Sequence, residues 1–432
     1  MNKLKTWKVS ICYLICGSLF IQSLMFYTYP TKAHAEQNID LNLEVSSAIL
    51  MEASTGEILY EINADEALPP ASMAKMMTEY LVLESIQLGK MNWEDLVTTS
   101  ENASDVIGSG QLLAQGEKLS VLKMFEAMSI YSANDASVAL AEYVGGTEEN
   151  FAKMMNMKAK QMGMSSQTNF INATGLSRID MGKYMPKEVM GETMLSARDL
   201  AILARNLLNQ HSEILQFTQI PSKKLRETDK TAMVNWNWML ENNKDVVNFK
   251  KYVYAGLDGL KTGHTTEAGY CFTGTAQRDG LRLISVIMGT DTEPERFEET
   301  RKILDYGFNN FEIRTIIAGN IEINSLNKVG IRKGIEMEVN LVTEEEINMI
   351  VKKDAEQNDF EQITQVIDET KLVAPISKGD QLGTLTIRYE NKEKTINLIA
   401  VSDVEKAGTI RLLFRSIQTF FSMIITSIKN IF

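Results

Sequence analysis

Two predicted β-hairpins that lie far apart in the chain constrain its fold more than any other feature. The first covers residues 46–62 and turns at Ser54-Thr55-Gly56, and the second joins residues 271–276 to 281–288 across Asp279-Gly280. The sequence between them has helical periodicity, with predicted helices at 73–88, 121–143, 148–162 and 197–208. We therefore expect an α/β (α+β) fold in which one sheet collects strands from distant parts of the chain and carries helices on both faces.

The pattern changes after a further predicted helix at 295–308. Apolar and polar residues then alternate in two stretches, 335–341 and 384–389, as they do in half-buried strands. The sequence therefore predicts a small β-rich second domain over residues 313–400, without a constellation of catalytic residue types, after a first domain over 36–312.

Residues 408–432 predict an amphipathic helix. Its apolar residues recur at helical spacing: Ile410, Leu413, Phe414, Ile417, Phe421, Ile424, Ile428 and Ile431. Charged and polar residues interrupt every long apolar run, so we expect the helix to lie in a membrane interface and not to cross the membrane. The alternative is a core or coiled-coil helix at a chain end.

The first 35 residues have the pattern of a signal peptide. Lys3, Lys5 and Lys8 precede the apolar run 9–26, which is followed by an A-x-A cleavage site at Ala33-His34-Ala35. The alternative is a retained transmembrane anchor. Cleavage would leave an exported protein that begins near Glu36.

The predicted mature chain is acidic and has one cysteine. The whole chain carries 44 Lys and Arg against 56 Asp and Glu, and removal of four lysines with residues 1–35 changes the net charge from −12 to about −16. Without a basic stripe, such a chain is not expected to bind nucleic acid. Cys271 alone remains, which excludes an intramolecular disulfide, and its apolar neighbours predict a buried side chain.

The first short motif with chemical meaning is Ser72-Met73-Ala74-Lys75. The same S-x-x-K spacing recurs at Ser120 and at Ser325, so a single match is weak, and Ser120 is interpreted as a helix N-cap. Pro69-Pro70 distinguishes the first match, because it predicts a helix that begins at Ser72. There, free backbone N–H groups and the helix dipole favour developing negative charge.

Lys75 is the predicted base for Ser72. It lies three residues further on, and therefore on the same face of the predicted helix. A lysine can accept a proton only when burial or a second cation lowers its pKa, and Lys261 could supply that charge. A Ser-His-Asp triad is not favoured, because the predicted mature chain has only His211, expected at the surface, and His264, and it lacks a G-x-S-x-G elbow.

Two further motifs follow, Ser132-Ala133-Asn134 and Lys261-Thr262-Gly263. The first interrupts an apolar helical segment, and a local break there would direct Ser132 and Asn134 into a cleft. The second precedes the distant hairpin, where Gly263 would permit close approach of a substrate backbone and edge-strand pairing with a peptide.

In combination, the three motifs resemble those of the low-molecular-weight penicillin-binding proteins, the serine D-alanyl-D-alanine carboxypeptidases. The similarity extends to longer segments over about residues 44–310: Pro70-Ala-Ser-Met-Ala-Lys75, Tyr131-Ser-Ala-Asn-Asp-Ala136, Asp258-Gly-Leu-Lys-Thr-Gly-His264, Phe170-Ile-Asn-Ala-Thr-Gly-Leu176 and Ser196-Ala-Arg-Asp-Leu200. The family's penicillin-binding/β-lactamase-like transpeptidase fold, followed by a β-rich domain and an amphipathic anchor, is then expected. One departure is the stretch 177–192, which is longer than in the family.

The resemblance implies a role for each motif residue. Ser72 would be the acyl-ester nucleophile, Lys75 its general base and Ser132 the proton relay. The implied substrate-binding residues are Asn134, Lys261, Thr262, Gly263 and His264, with the backbone N–H groups of Ser72 and His264 as oxyanion hole. The implied partners are peptidoglycan stems ending in D-Ala-D-Ala, β-lactams as covalent inhibitors and the membrane surface, and neither a cofactor nor a metal is expected.

Two alternatives belong to other functional classes. A class A β-lactamase needs a glutamate that activates the deacylating water, and residues 151–186 contain no glutamate. A non-catalytic penicillin-recognising scaffold or sensor could lose Ser72 or Lys75 without penalty, whereas this chain keeps both.

Overall fold

The protein is described here by a computed structural model, which covers residues 40–368 and 370–429. The predicted signal peptide lies outside these residues.

The main sheet has five antiparallel strands and joins the two predicted hairpins. Its strand order is β2-β1-β9-β8-β7. The pairing of β1 with β9 runs from Ser47 opposite Met288 to Glu52 opposite Leu283, so the expectation of one sheet from distant segments is confirmed. The strands of this first part are β1 (Ser47–Glu52), β2 (Ile58–Ile62), β3 (Leu96–Thr98), β4 (Lys118–Ser120), β5 (Ser222–Lys223), β6 (Met233–Val234), β7 (Leu257–Thr265), β8 (Gly269–Arg278) and β9 (Leu281–Thr290).

Helices cover both faces of this sheet. On one face, Ile49 and Ile284 belong to the large core shared with the helical middle of the chain. On the other face, a Cβ atom added to Gly307 would lie 2.5 Å from Leu283 and 2.8 Å from Leu50, so the last long helix of this part packs there directly. The helices are α1 (Lys75–Gln87), α2 (Glu101–Asp105), α3 (Val121–Tyr131), α4 (Asn134–Gly145), α5 (Glu148–Gln161), α6 (Ala197–Gln210), α7 (Leu215–Thr218) and α8 (Glu293–Asn310).

Helix α1 lies in the interior of the helical layer. Nine consecutive residues, from Lys75 to Leu83, are buried, so the helix has no solvent face over this length. A helix of this kind is a core helix. Polar side chains between Lys75 and Leu83 are consequently held in a dry environment.

His211 follows α6 and is buried, so the prediction of a surface position is wrong. The chain enters a 3₁₀ turn at Ser212–Ile214 directly after the helix, and the ring packs edge-on against Tyr80 of α1 at 4.8 Å between centroids. Only 1% of His211 is exposed. Cys271 of β8 is fully buried, as predicted.

The second part of the chain has its own core and is rich in strands. Buried residues between Ile317 and Val404 form that core. One sheet has the order β11-β12-β16-β15-β14, and β10 pairs with β13. The strands are β10 (Phe311–Ile317), β11 (Lys328–Gly330), β12 (Glu338–Thr343), β13 (Ile347–Lys352), β14 (Phe360–Val366), β15 (Gln381–Tyr389) and β16 (Lys392–Ala400).

The last helix, α9 (Thr409–Lys429), is held at its first turns by Arg415. The guanidinium of Arg415 donates hydrogen bonds to the carbonyls of Gly334 (2.6 Å) and Ile335 (2.8 Å) in the β-rich part. Several large apolar side chains of α9 are exposed: Ile410, Leu413, Phe414, Ile417, Phe420, Phe421, Met423, Ile424 and Ile425. In the portion of the chain that the structure describes, no helix combines the length and the apolar character needed to span a membrane.

Candidate active site

Ser72 lies in a short 3₁₀ turn, Ala71–Ala74, that leads directly into α1. The predicted helix start is therefore confirmed in position, although regular α-helix begins only at Lys75. Ala71 has a left-handed φ of 48°, which is uncommon for a residue with a side chain. This turn places the Ser72 hydroxyl 2.9 Å from Lys75 Nζ.

The surroundings of Lys75 favour a neutral amine. The side chain is fully buried, and its Nζ also donates a hydrogen bond to the Thr174 carbonyl at 2.9 Å. Burial lowers the pKa of Lys75 well below its ordinary value, and the positive charge of Lys261 lowers it further. A neutral amine beside a serine hydroxyl can accept the proton of that hydroxyl.

The second motif occupies a break between two helices, as the sequence predicts. Helix α3 ends at Tyr131, Ser132 adopts left-handed backbone angles (φ 63°, ψ 31°) and α4 begins at Asn134. The Asn134 amide donates to the Ile107 carbonyl at 2.6 Å.

Two polar atoms of this motif are buried and unpaired. Among the residues that the structure describes, Ser132 Oγ and Asn134 Oδ1 have no hydrogen-bond partner. An unpaired buried polar group costs about 1–3 kcal/mol. Two such atoms in one short motif are typical of a site that a polar ligand completes.

The third motif lies on β7, which is an edge strand of the main sheet. Lys261 is 3% exposed, and its Nζ donates to the Thr262 carbonyl at 3.0 Å. Burial lowers the pKa of Lys261 to about 8. His264 is exposed, with its ring stacked on Tyr270 at 4.0 Å between centroids.

Gly263 brings the third motif against the first. A Cβ atom at Gly263 would lie 2.6 Å from the Pro70 carbonyl oxygen and 3.2 Å from Met73 Cγ. The chain's own turn, and not only a substrate, therefore requires glycine here. The Gly263 carbonyl also accepts a hydrogen bond from Arg296 at 3.3 Å.

A buried hydrogen bond connects the second motif to α1. Ser129, one helical turn before the break at Ser132, donates from its hydroxyl to Glu79 Oε1 at 2.8 Å. All three motifs are thus built around the first turns of α1.

Three groups of this site were not singled out from the sequence. The Thr174 carbonyl carries no side-chain signal. Arg296 lies within the predicted helix 295–308 and reads as a surface charge, yet only 2% of it is exposed. Glu79 did leave a signal, because it is an acidic residue four positions after Lys75 on a helix that is otherwise largely apolar.

The other two S-x-x-K matches have structural positions. Ser120 caps α3 and accepts a hydrogen bond from the Lys123 backbone N–H at 3.3 Å, which confirms its interpretation as an N-cap. Ser325 is exposed, and Lys328 forms an ion pair with Glu338 at 2.9 Å.

Hydrogen bonds and ion pairs hold the long stretch 177–192 to itself and to α2. The Arg178 guanidinium donates to the carbonyls of Pro186, Val189 and Gly191, which closes the stretch on itself. Lys183 forms ion pairs with Glu101 (2.7 Å) and Asp105 (3.1 Å) of α2. Between 40–368 and 370–429, no group of three or more His, Cys, Asp or Glu residues is placed to hold a metal ion.

Comparisons with known proteins match nearly the whole chain. The family described as D-alanyl-D-alanine carboxypeptidase matches residues 31–292, and the family described as penicillin-binding protein 5, C-terminal domain, matches residues 311–406. The chain is 37% identical to the D-alanyl-D-alanine carboxypeptidase DacF of Bacillus subtilis, over 92% of this chain and 97% of that protein.

Solved structures show the same similarity. A peptidoglycan synthesis regulatory factor from Streptococcus pneumoniae matches with a TM-score of 0.69 and 29% identity, over 84% of this chain and all of that one. Penicillin-binding protein D2 from Listeria monocytogenes, in an ampicillin-bound form, matches with a TM-score of 0.53 and 34% identity, over 62% of this chain and all of that one.

Proposed function

The chain belongs to the D-alanyl-D-alanine carboxypeptidase family, and from this premise we propose that it removes the terminal D-alanine of peptidoglycan pentapeptide stems through an acyl-enzyme on Ser72. One observation carries the proposal. The Ser72 hydroxyl lies 2.9 Å from the amine of a fully buried Lys75, whose pKa burial holds well below its ordinary value.

Acylation begins with proton transfer from Ser72 to Lys75. The freed oxygen attacks the carbonyl carbon between the two D-alanines, and the resulting oxyanion is bound by the backbone N–H groups of Ser72 and His264. Ser132 carries the proton to the leaving amine of the terminal D-alanine. The C–N bond breaks, D-alanine departs and the shortened stem remains as an ester on Ser72.

Substrate binding falls to the other motif residues. The protonated Lys261 and the Thr262 hydroxyl hold the terminal carboxylate, and the unpaired Asn134 Oδ1 accepts a hydrogen bond from the stem. The stem lies along β7 as an added strand, since β7 is a sheet edge and Gly263 has no side chain in its way. Water then hydrolyses the ester. β-Lactams acylate the same serine, and because the C–N bond that breaks belongs to a ring, the leaving amine stays tethered to the acyl-enzyme.

The test of this function is release of D-alanine. Mature protein in detergent, incubated with a synthetic pentapeptide stem ending in D-Ala-D-Ala, is expected to yield one D-alanine per stem, as measured by an enzyme-coupled D-alanine assay. The matched substrate ends in D-Ala-L-Ala and should not be shortened. Mass spectrometry of the stem measures this, because such a cleavage would release L-alanine, which the D-alanine assay does not detect. If penicillin acylates the protein but no pentapeptide is shortened, the scaffold alternative replaces the carboxypeptidase.

We also propose that the chain acts outside the cytoplasm, with the domain division given above, and that α9 holds it to the membrane surface. Burying one Ile or Phe side chain contributes about 1.5–3 kcal/mol, and α9 exposes several. A basic residue near an anionic surface contributes only about 1 kcal/mol. Apolar insertion should therefore dominate, and binding should resist salt.

Deletion of residues 408–432 is expected to release the mature enzyme from liposomes while carboxypeptidase activity on soluble peptides is retained. Flotation at low and at high ionic strength measures both retention and salt resistance. Arg411→Gln, which removes a charge and keeps the apolar side chains, is the control and should still float. Continued flotation of the truncated protein would contradict the anchor.

A further inference from the structure

Glu79 is a buried carboxyl group that the proposed mechanism does not use. It lies one turn after Lys75 on α1 and is fully buried. Oε1 accepts the hydrogen bond from Ser129, whereas Oε2 has no partner among the described residues. A carboxyl group in such a place needs either a proton or a nearby positive charge.

Two lysines supply positive charge around Glu79. Lys75 lies on the same helix as Glu79. Lys261 lies on β7 opposite Thr273, whose hydroxyl donates to Met73 Sδ at 3.3 Å in the turn that leads into that helix. Burial raises the pKa of Glu79 to about 7, and the charge of Lys261 is the largest influence that opposes this rise. For Lys261 the relation is reciprocal: burial lowers its pKa, Glu79 opposes the decrease and Arg296 of α8 adds to it.

The other charges near these lysines do not replace Glu79. Asp135 of α4 and Glu148 of α5 act on Lys75, after Glu79 in the size of their effect. Asp135 is engaged by the backbone N–H groups of Gln111 and Leu113, and Glu148 by Asn102 and the backbone of Ala173. Glu79 is the carboxyl group that acts on both lysines.

The two lysines have opposite requirements, provided that the proposed function holds. Lys75 must be neutral to accept a proton, and Lys261 must be charged to hold a carboxylate. A buried ammonium group without a counter-charge is unfavourable and tends to lose its proton. Two buried lysines close together make that loss easier for both.

We propose that Glu79 is a positioning residue: its carboxylate is the buried counter-charge that keeps Lys261 protonated, and thus able to bind the substrate carboxylate, while Lys75 is neutral. It acts through Lys261 and does not touch the substrate. Its hydrogen bond to Ser129 holds the carboxylate between α1, which carries Lys75, and α3, which ends one residue before Ser132.

Glu79→Gln separates charge from structure, because glutamine has the same shape and can still accept the Ser129 hydrogen bond. Loss of the negative charge lowers the pKa of Lys261, so Lys261 loses its proton at a lower pH. The alkaline limb of kcat/KM is therefore expected to move down by about one pH unit. At pH 8 the effect should be mainly a rise of about fivefold in KM, with a smaller change in kcat.

The measurement is the pH profile of D-alanine release between pH 5 and 10 with the full mature chain in detergent. Glu79→Asp keeps the charge and should restore the limb to within about half a unit of the wild type. Glu79→Met removes the charge by another side chain and should reproduce the shift, which keeps the test valid if the glutamine variant does not fold.

Glu126→Gln is the matched control. Glu126 is a similarly buried glutamate on the neighbouring helix α3, and it pairs with Lys223 at 2.5 Å, away from the motifs. Its variant should keep the wild-type profile. The proposal is overturned if folded Glu79→Gln or Glu79→Met follows the wild-type profile, or if Glu126→Gln shifts it equally. A wild type that releases no D-alanine would instead refute the proposed function.

Discussion

Replacing Ser72 by alanine is expected to abolish the covalent adduct that labelled penicillin forms with the wild-type chain. The hydroxyl of Ser72 is the only hydroxyl that hydrogen-bonds to a fully buried lysine amine within the described ranges. Removal of one oxygen atom at a half-buried position leaves the fold unchanged. Intact-protein mass spectrometry should show one added penicillin mass on the wild type and none on Ser72→Ala.

Ser120→Ala is the matched control for this experiment. Ser120 has the same three-residue spacing to a lysine, but its hydroxyl caps α3 by accepting the Lys123 N–H. The variant should keep the adduct and lose about 1 kcal/mol of stability, which is the usual contribution of an N-cap. An adduct that survived in Ser72→Ala but disappeared in Ser120→Ala would show that Ser120 is the nucleophile.

The elements that rest on periodicity could be predicted from the sequence. The two hairpins and the helices at 148–162 and 197–208 differ from the observed elements by a few residues, because burial on one face imposes period 2 on a strand and 3.6 on a helix. One sheet containing both hairpins was also expected, because strands at both ends of a helical segment can share a core, but the antiparallel pairing of β1 with β9 was not specified by the sequence.

The break at Ser132 could be predicted because polar residues interrupt an apolar helix. The position of His211 could not, since a histidine after a helix end is compatible with either surface or core, and the 3₁₀ turn that carries it inward depends on packing against Tyr80. The residue that packs against Gly263 could not be predicted from the sequence either. A glycine in a strand indicates close approach, but only the tertiary structure shows that Pro70 is the neighbour.

The pKa values of the site residues depend on how deeply their side chains are buried, and a sequence motif does not show burial. The S-x-x-K spacing predicts that Lys75 lies near Ser72. It does not predict that α1 is buried on all sides from Lys75 to Leu83, and this burial is the main cause of the lowered pKa of Lys75. Glu79 and Lys261 are buried as well, and the charge of each opposes the effect of burial on the pKa of the other. Chemistry in this site therefore follows from where α1 packs as much as from which residues it carries.

Lys75 is consequently the residue whose loss should slow acylation most while leaving the nucleophile in place. Without an adjacent base, the Ser72 hydroxyl keeps its proton at neutral pH and is a weak nucleophile. General-base assistance is typically worth about 10²–10⁴ in rate, and a decrease of that size is expected for Lys75→Ala. The second-order rate of acylation by a fluorescent penicillin, followed by gel fluorescence, measures it.

Folding must be separated from chemistry, because truncation of a fully buried side chain leaves a cavity. Lys75→Met fills nearly the same volume without an amine and should slow acylation as much as Lys75→Ala, with an unfolding temperature closer to that of the wild type. Lys123→Met is the matched control. Its lysine also lies three residues after a serine, but its amine donates to the Leu225 carbonyl at 2.7 Å, so acylation should be unchanged. If Lys75→Met, folded, reacted at the wild-type rate, the base would be another group, and the 2.9 Å contact between Lys75 and Ser72 would be structural.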